Sequence, residues 1–397
     1  MKILYIANGN GLSGGVGGSL IRTIEIAKRL QRMGCEIHFL TTIGGFKACR
    51  SMGLEVIYHI LPASIFKKIE SGIYDRIEAY FISTIFSFFI VPRLPKCDIC
   101  YTDSDYICDI IPALIYHKIN RTKWIAMTHH LVGINQNKPI DFFVSFLSSI
   151  MQKLSYRLIK NNADKVFVYD SAMGEKIAKL FHSKYSVEMI SNGVNLKFID
   201  DINNTKNDII YDACFVGGLR PSKGLHDIVP IWKGVVKSNI NAKLIVVGGG
   251  LKEYENELKA SIKGEGLMTS IELAGAKSHK ECIEIMKQSR IFITPSHEEG
   301  WGIAVCEAMA CKLPVVAYDL PTYRIFKDGL KTVELFDISK FAVIVNDLLY
   351  DTDLCAELGL KGFNGIQQYD WDLISNKEFE IFNKLIKNEN PMNMKGH

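Results

Sequence analysis

The chain has 397 residues, 48% of them hydrophobic and 23% charged, an ordinary globular composition with length enough for two domains. A formal net charge of +4 is too small to argue for nucleic acid, so none is expected as a partner. Ten cysteines lie largely inside apolar runs such as Ala213-Cys214-Phe215, a pattern of free thiols in a reducing cytoplasm and not of a disulfide framework.

Met1-Lys2 leads directly into the apolar strand Ile3-Leu4-Tyr5-Ile6-Ala7, so no secretory signal is expected. Residues 8–19, NGNGLSGGVGGS, follow as a glycine-rich loop. Leu20, Ile21, Ile24, Ala27 and Leu30 then repeat on one helix face, and Glu36 to Thr42 reads as the next strand. Strand, glycine loop, helix and strand together make the phosphate-cradling half of a Rossmann unit. The glycines do not follow G-x-G-x-x-G, and the second strand ends in Thr41-Thr42 where a dinucleotide site has an acidic residue. NAD is therefore disfavoured, and the competing reading of the loop is a surface turn without a ligand. Tyr80 to Val91 is the most hydrophobic run, too short to span a bilayer. Residues 98–102 read as a strand, and Asp103-Ser104-Asp105 after it as a solvated turn or a helix start. Cys97 and Cys100 form a CxxC that reads as buried strand, since a zinc site needs a second pair. Residues 124–128 form a strand ending at His129-His130, where a site belongs. Residues 140–160 make a long apolar helix with Lys153, Arg157 and Lys160 in its tail. It is either a core helix with a solvated edge or a helix lying on an anionic membrane surface. A strand at 166–169, a helix at 171–180 and a strand and turn at 188–194 close a first domain of residues 1–194.

The polar stretch 195–209 reads as a linker, and the pattern begins again in a second domain of residues 210–370. Asp212 to Val216 is a strand, 217–224 a loop, Leu225 to Val236 a helix, and Lys243 to Val247 a strand. Arg220 and Lys223 sit at a strand's carboxyl end, aimed where a pyrophosphate would lie. Residues 271–274 read as strand and 283–286 as helix. The stretch 291–319 then runs strand, loop, helix, strand and places Glu299, Gly300 and Gly302 at a strand's carboxyl end, with Glu307 inside the helix. A carboxylate accepts two hydrogen bonds from neighbouring hydroxyls, as on a sugar or a ribose. Gly300 and Gly302 let the backbone approach a ligand and leave helix-start N–H groups for an anion. An amphipathic tail from Tyr369 to Lys387 ends the reading.

These segments resemble the retaining glycosyltransferases of family 4. The resemblance covers nearly the whole chain. It rests on GGVGGS at 14–19, MTHH at 127–130, ISNGVN at 190–195, FVGGLRPSKG at 215–224, EGWGIAVCEAMA at 299–310 and QYDW at 368–371. It implies an α/β GT-B fold: two Rossmann-like, doubly wound domains facing across a cleft, with a last helix at 371–390 crossing back to the first domain. It also implies roles. Gly14, Gly15 and Gly17 would approach the donor phosphate and the acceptor. His130 would lie near the transferred sugar, with His129 as the second choice. Lys223 would bind the donor pyrophosphate, helped by Arg220. Glu299 would face the donor sugar with Gly300 and Gly302 beside it, and Glu307 would hold the ribose. Three positions depart from the family pattern: Gly218 stands where an arginine is usual, Lys312 where a small residue is usual, and Leu131 follows the histidine where an acidic residue is common. The implied activity is metal-independent transfer of a hexosyl group from a UDP- or GDP-sugar to a glycan or lipid-linked acceptor, with retention and without a cofactor. Apart from the resemblance, the free thiols point to the cytoplasm, and the apolar first domain with the basic tail of helix 140–160 points to the inner face of the cell membrane through contact with anionic lipid. The alternatives are a non-catalytic nucleotide-sugar-binding protein and a nucleotide-sugar epimerase on the same fold.

Overall fold

The computed structural model describes residues 1–9, 17–62, 73–129, 139–169, 171–181, 187–202 and 209–387. The chain divides into two units, Met1–Asn192 with Trp371–His397, and Gly193–Asp370. The first unit runs β1 (Lys2–Ala7), α1 (Gly18–Arg32), β2 (Glu36–Thr42), α2 (Ile43–Ser51), β3 (Ile57–Leu61), α3 (Ile73–Ile90), β4 (Ile99–Thr102), α4 (Ile107–Asn120), β5 (Lys123–Met127), α5 (Pro139–Asn162), β6 (Lys165–Val168), α6 (Ser171–Phe181) and β7 (Val187–Met189). The second runs α7 (Leu196–Asp201), β8 (Tyr211–Val216), α8 (Ile228–Ser238), β9 (Leu244–Val247), α9 (Lys252–Gly264), β10 (Ile271–Gly275), α10 (His279–Lys287), β11 (Ser289–Thr294), α11 (Ile303–Ala310), β12 (Val315–Tyr318), β13 (Leu330–Val333), α12 (Ile338–Tyr350) and α13 (Thr352–Ile366). The last helix, α14 (Trp371–Lys387), belongs to the first unit.

Each unit is built on one parallel sheet, of order β3-β2-β1-β4-β5-β6-β7 in the first and β10-β9-β8-β11-β12-β13 in the second. Helices cover both faces of such a sheet, so its strands are buried all round and read as unbroken apolar runs. Leu244 to Val247 and Ile291 to Ile293 show this, with every side chain buried. In the first unit Leu4, Ile6, Leu40, Trp124 and Ala126 form one core with Tyr116, Ile159 and Phe181. The opposite face carries an aromatic row: Tyr5 lies 5.9 Å from Phe39 and 5.1 Å from Tyr101, and Phe167 lies 6.4 Å from Phe382 of α14. α14 is fixed there by Glu378, which is buried in an ion pair with Arg22 of α1. Arg22 also donates to Tyr101 Oη at 3.1 Å and to Ser191 O at 3.2 Å.

The sheet order reverses direction at two places. In the first unit the chain moves outward from β1 to β2 and β3, then returns to lay β4 beside β1. In the second it moves from β8 to β9 and β10, then returns to lay β11 beside β8. Ligands of open parallel sheets bind at the carboxyl ends of the strands where this reversal occurs. Those ends carry the glycine loop after β1, Asp103 to Tyr106 after β4, the loop 217–224 after β8 and the loop 295–302 after β11.

Several elements differ from the sequence reading or lie where it gave none. Asp103, Ser104 and Asp105 are not a solvated turn: they are 1%, 1% and 4% exposed. Their acids are satisfied inside the unit, Asp103 by the Thr23 hydroxyl and Asp105 by Gln152 Nε2 at 2.8 Å. The stretch 195–209 is not linker throughout, since α7 forms at 196–201 and Asn195 Oδ1 caps it by accepting Phe198 N–H. α2 and β3 fill residues 43–61, where no pattern was read. Cys97 and Cys100 are buried free thiols, as the lone CxxC implied.

Candidate functional site

In the second unit two loops meet at the β8/β11 switch point. The first, 217–224, leaves β8 and makes one turn of 3₁₀ helix at Pro221–Lys223 before Gly224. Gly224 has φ +73°, and a Cβ there would lie 2.0 Å from Pro295 O, so only glycine permits the second loop to pack so closely. His297 N–H donates to Ser222 O at 3.0 Å and joins the loops' backbones directly. Asp227, just before α8, accepts from both His297 Nε2 at 2.9 Å and Tyr318 Oη at 2.8 Å, which fixes the second loop from below. Trp301 anchors its far end, 5.5 Å from Phe326 and 5.3 Å from Tyr369 in edge-on contact.

This scaffold brings Lys223 and Glu299 together. Lys223 Nζ is ion-paired with Glu299 Oε1, both side chains lying mostly out of solvent at 17% and 15% exposure. Ser296 Oγ donates to the same oxygen at 3.3 Å. Thr322 Oγ1 holds the Glu299 carbonyl at 2.8 Å. The two residues read from sequence as phosphate cation and sugar-facing carboxylate therefore neutralise each other here. Arg220 is exposed on the same loop, and no described residue takes its guanidinium. Gly302 starts α11 at φ +89°, a left-handed cap that a side chain adopts only with strain. Gly300 is exposed with open space around it, so neither packing nor backbone angle demands glycine there.

Glu307 lies on α11 and does not join the Lys223 pair. Its Oε1 meets His279 Nε2 at 2.7 Å, and the His279 ring stacks on Phe198 at 4.9 Å with 15° between planes. His279 is the first residue of α10, whose start is fixed by a capping box between Ser278 and Glu281. The other Glu307 oxygen takes no bond from a described residue. Sequence reasoning missed His279, Phe198, Ser296 and the Asp227–His297 link. Only the Ser-x-x-Glu at 278–281 offered a local signal for any of them.

Of the departures from the family pattern, Gly218 is exposed, and a Cβ there would meet only Gly249 O at 3.9 Å. Lys312 takes φ +62° at the end of α11 opposite Gly302, with its ammonium 5.0 Å from the Phe363 ring centre. A left-handed turn is why that position suits a small residue.

In the first unit, Gly14, Gly15, His130 and Leu131 lie outside the described residues. Gly17 is the extended N-cap of α1 and brings no side chain to it. His129 Nε2 lies 2.5 Å from the Asp103 carbonyl; a carbonyl only accepts, so this nitrogen carries the proton and serves the fold. The start of the glycine loop is held by a residue that the sequence did not single out. Asp109 Oδ1 accepts Asn8 N–H at 2.6 Å and Gly9 N–H at 3.4 Å, and Ser104 Oγ donates to Oδ2. Burial pushes the Asp109 carboxyl up to about 8, against the three hydrogen bonds that stabilise its charge, with Asp103 nearby adding to the rise.

Residues 197–363 match the family described as glycosyl transferases group 1. This stretch of the second unit is similar to that family. Arg220, Lys223, Glu299, Gly300, Gly302 and Glu307 all fall inside it, whereas the glycine loop and the histidine pair lie outside. An uncharacterized glycosyltransferase of Methanocaldococcus jannaschii is 27% identical over 226 residues, 54% of this chain and 53% of that protein. The GDP-mannose:cellobiosyl-diphosphopolyprenol alpha-mannosyltransferase of Xanthomonas oryzae is 24% identical over 210 residues, 50% of this chain and 53% of that protein. The chain thus spans about half the length of these curated relatives. Among solved structures, Anabaena HepE in complex with UDP and glucose superposes with a TM-score of 0.73 at 18% identity, covering 97% of this chain and 100% of that one. At that identity the likeness is one of fold, the pair of Rossmann-like domains that defines GT-B. The stretch that matches the group 1 family lies in the second of the two.

Proposed function

We propose that the chain is a glycosyltransferase that moves a hexosyl group from a UDP- or GDP-sugar to a glycan or lipid-linked acceptor, with retention and without a metal. The observation that carries this reading is the Lys223–Glu299 pair, held between two loops at the switch point inside the stretch that matches the group 1 family. A nucleoside diphosphate offers Lys223 a denser negative charge than one carboxylate does. When Lys223 turns to it, Glu299 is released to the sugar, and the developing charge on the leaving phosphate is met by Lys223, Arg220 and backbone N–H groups. Glu307 then serves the ribose with its second oxygen while His279 fixes the first. No covalent nucleophile is evident in the loops, so the acceptor attacks from the side of the departing phosphate. His130 keeps the role near the transferred sugar that the resemblance gives it. The relative that acts on cellobiosyl-diphosphopolyprenol supports an acceptor carried on lipid, which would place the protein at the inner face of the cell membrane.

The test is release of nucleoside diphosphate from a panel of UDP-, GDP- and ADP-sugars, with and without a mixture of glycan and lipid-linked acceptors. Release that depends on acceptor supports the reading. Tight donor binding with no turnover under any acceptor would favour a non-catalytic binding protein instead, and a changed sugar still joined to its nucleotide would favour an epimerase.

A further inference from the structure

Helix α3 carries large apolar side chains on its outer side as well as its inner one. Ala79, Ser83 and Ser87 are fully covered, and Phe86 and Ile90 pack partly buried against the core. The serine hydroxyls turn back to the helix, Ser83 to Tyr80 O at 3.2 Å and Ser87 to Thr84 O at 2.6 Å. Its outer side carries Phe81, Ile85, Phe88 and Phe89, which are 53%, 56%, 55% and 60% exposed. Their spacing of i, i+4, i+7 and i+8 gathers them into one stripe. A contiguous outer stripe of large apolar side chains marks a surface that something apolar meets.

α3 is not alone. It packs beside α4, and α4 beside α5, in one layer over the sheet of the first unit. α5 repeats the pattern: Ser155 is buried, while Phe146, Ile150 and Leu154 are 45%, 48% and 48% exposed. Lys153 and Arg157 are exposed on the same face of α5, at i+7 and i+11 from Phe146. Arg93, Lys96 and Lys118 are exposed at the ends of α3 and α4. Against these, Glu78 of α3 and Asp98 beside Lys96 are the exposed acids among the described side chains of the same stretch. None of the described helices is long and apolar enough to cross a membrane.

We propose that the outer face of α3–α4–α5 is a docking surface for an anionic lipid bilayer, with the aromatic stripe of α3 entering the headgroup boundary and the basic residues meeting lipid phosphates. An apolar stripe edged by cations is what an interfacial helix presents to such a surface. The surface is tied to the glycine loop, because Tyr80 of α3 donates to Gly9 O at 3.4 Å and stacks on Tyr106 at 5.8 Å. In the terms of the proposed function, on which this part rests, a lipid-linked acceptor would be met at that edge.

The full chain is floated with vesicles of phosphatidylcholine alone or mixed with phosphatidylglycerol, beside variants Phe88→Ser/Phe89→Ser and Lys153→Glu/Arg157→Glu. Binding to the mixed vesicles is expected, weakened by salt, and lowered about tenfold or more by either pair of changes. Because these side chains are exposed, the variants should melt like wild type and turn over a water-soluble acceptor unchanged, so loss of lipid binding is separable from loss of the enzyme. Equal recovery from both vesicle types, or variants that bind as wild type does, would overturn the proposal. So would self-association of the lipid-free chain that the Phe88→Ser/Phe89→Ser change abolishes, since the stripe would then be a contact between copies.

Discussion

Lys223 and Glu299 each lose a partner when the other is removed, and that coupling decides how single substitutions read out. Lys223→Ala removes the cation from the diphosphate site and is expected to weaken a nucleoside diphosphate by about 1.5–3 kcal/mol in calorimetric titration, while the bare nucleoside binds nearly as before. Arg220→Ala should act in the same direction if the exposed guanidinium reaches the ligand; unchanged diphosphate binding would leave it a solvated residue. Asp109 gives a pH dependence of a different kind. Its carboxyl titrates at about 8 in the folded chain and near 3.9 when unfolded. Between those values the folded state holds a proton that the unfolded state has released, so stability falls as pH rises through that window. Thermal unfolding of wild type should therefore show a falling midpoint towards pH 8, and Asp109→Asn, which cannot titrate, a flatter one. A wild-type midpoint that rises over this range would contradict the assignment. The residues readable from sequence were those with a local pattern: Lys223 in a glycine loop after a strand, Glu299 beside two glycines, Glu307 eight positions on. Asp109 and His279 were not, because each acts across the fold, 101 residues from Asn8 and 28 from Glu307.

At the scale of elements the site depends on how tightly two loops approach. Gly302→Ala places a side chain at φ +89° and 3.0 Å from Tyr323 Cε1, which should cost about 1–2 kcal/mol of stability. Gly224→Ala has the same backbone strain and puts its Cβ only 2.0 Å from the backbone carbonyl oxygen of Pro295, so its loss should be larger. Gly300→Ala meets nothing within 4 Å and should leave the melting midpoint in place. Thermal denaturation of the three variants checks this order, and if Gly300→Ala nonetheless lowers donor affinity the reason lies in the ligand's approach. Strands such as β9 and β12 were legible because a sheet buried on both faces writes an unbroken apolar run. β3 was not, because an edge strand has Ile57 and Ile60 exposed and Tyr58 and His59 half-buried, so its pattern shows neither a run nor a clean alternation. α7 was hidden by polar composition: its six residues bury only Ile199, and its start depends on the Asn195 cap.

At the scale of the whole molecule, the last described helix, α14, belongs to the unit in which the chain begins. The Arg22–Glu378 pair is buried on both sides, so removing one member strands the other charge away from water. Glu378→Ala should cost the first unit about 3–5 kcal/mol in denaturant unfolding, far more than an exposed ion pair such as Lys361–Glu357 is worth. The amphipathic tail announced a helix, but its length and composition said nothing of the buried ion pair that fixes it. The central claim is that one domain holds a sugar nucleotide with two carboxylates of different function, and steady-state kinetics of Glu299→Gln and Glu307→Gln on folded protein test it most directly. In the proposed function Glu299 faces a sugar ring that gains positive charge in the transition state, so Glu299→Gln should lower kcat and leave affinity for the free nucleotide nearly intact. In the same proposal Glu307 faces a ribose that does not change during reaction, so Glu307→Gln should raise KM and weaken the free nucleotide itself. The same kinetic pattern from both substitutions, or turnover unchanged in either, would contradict the account.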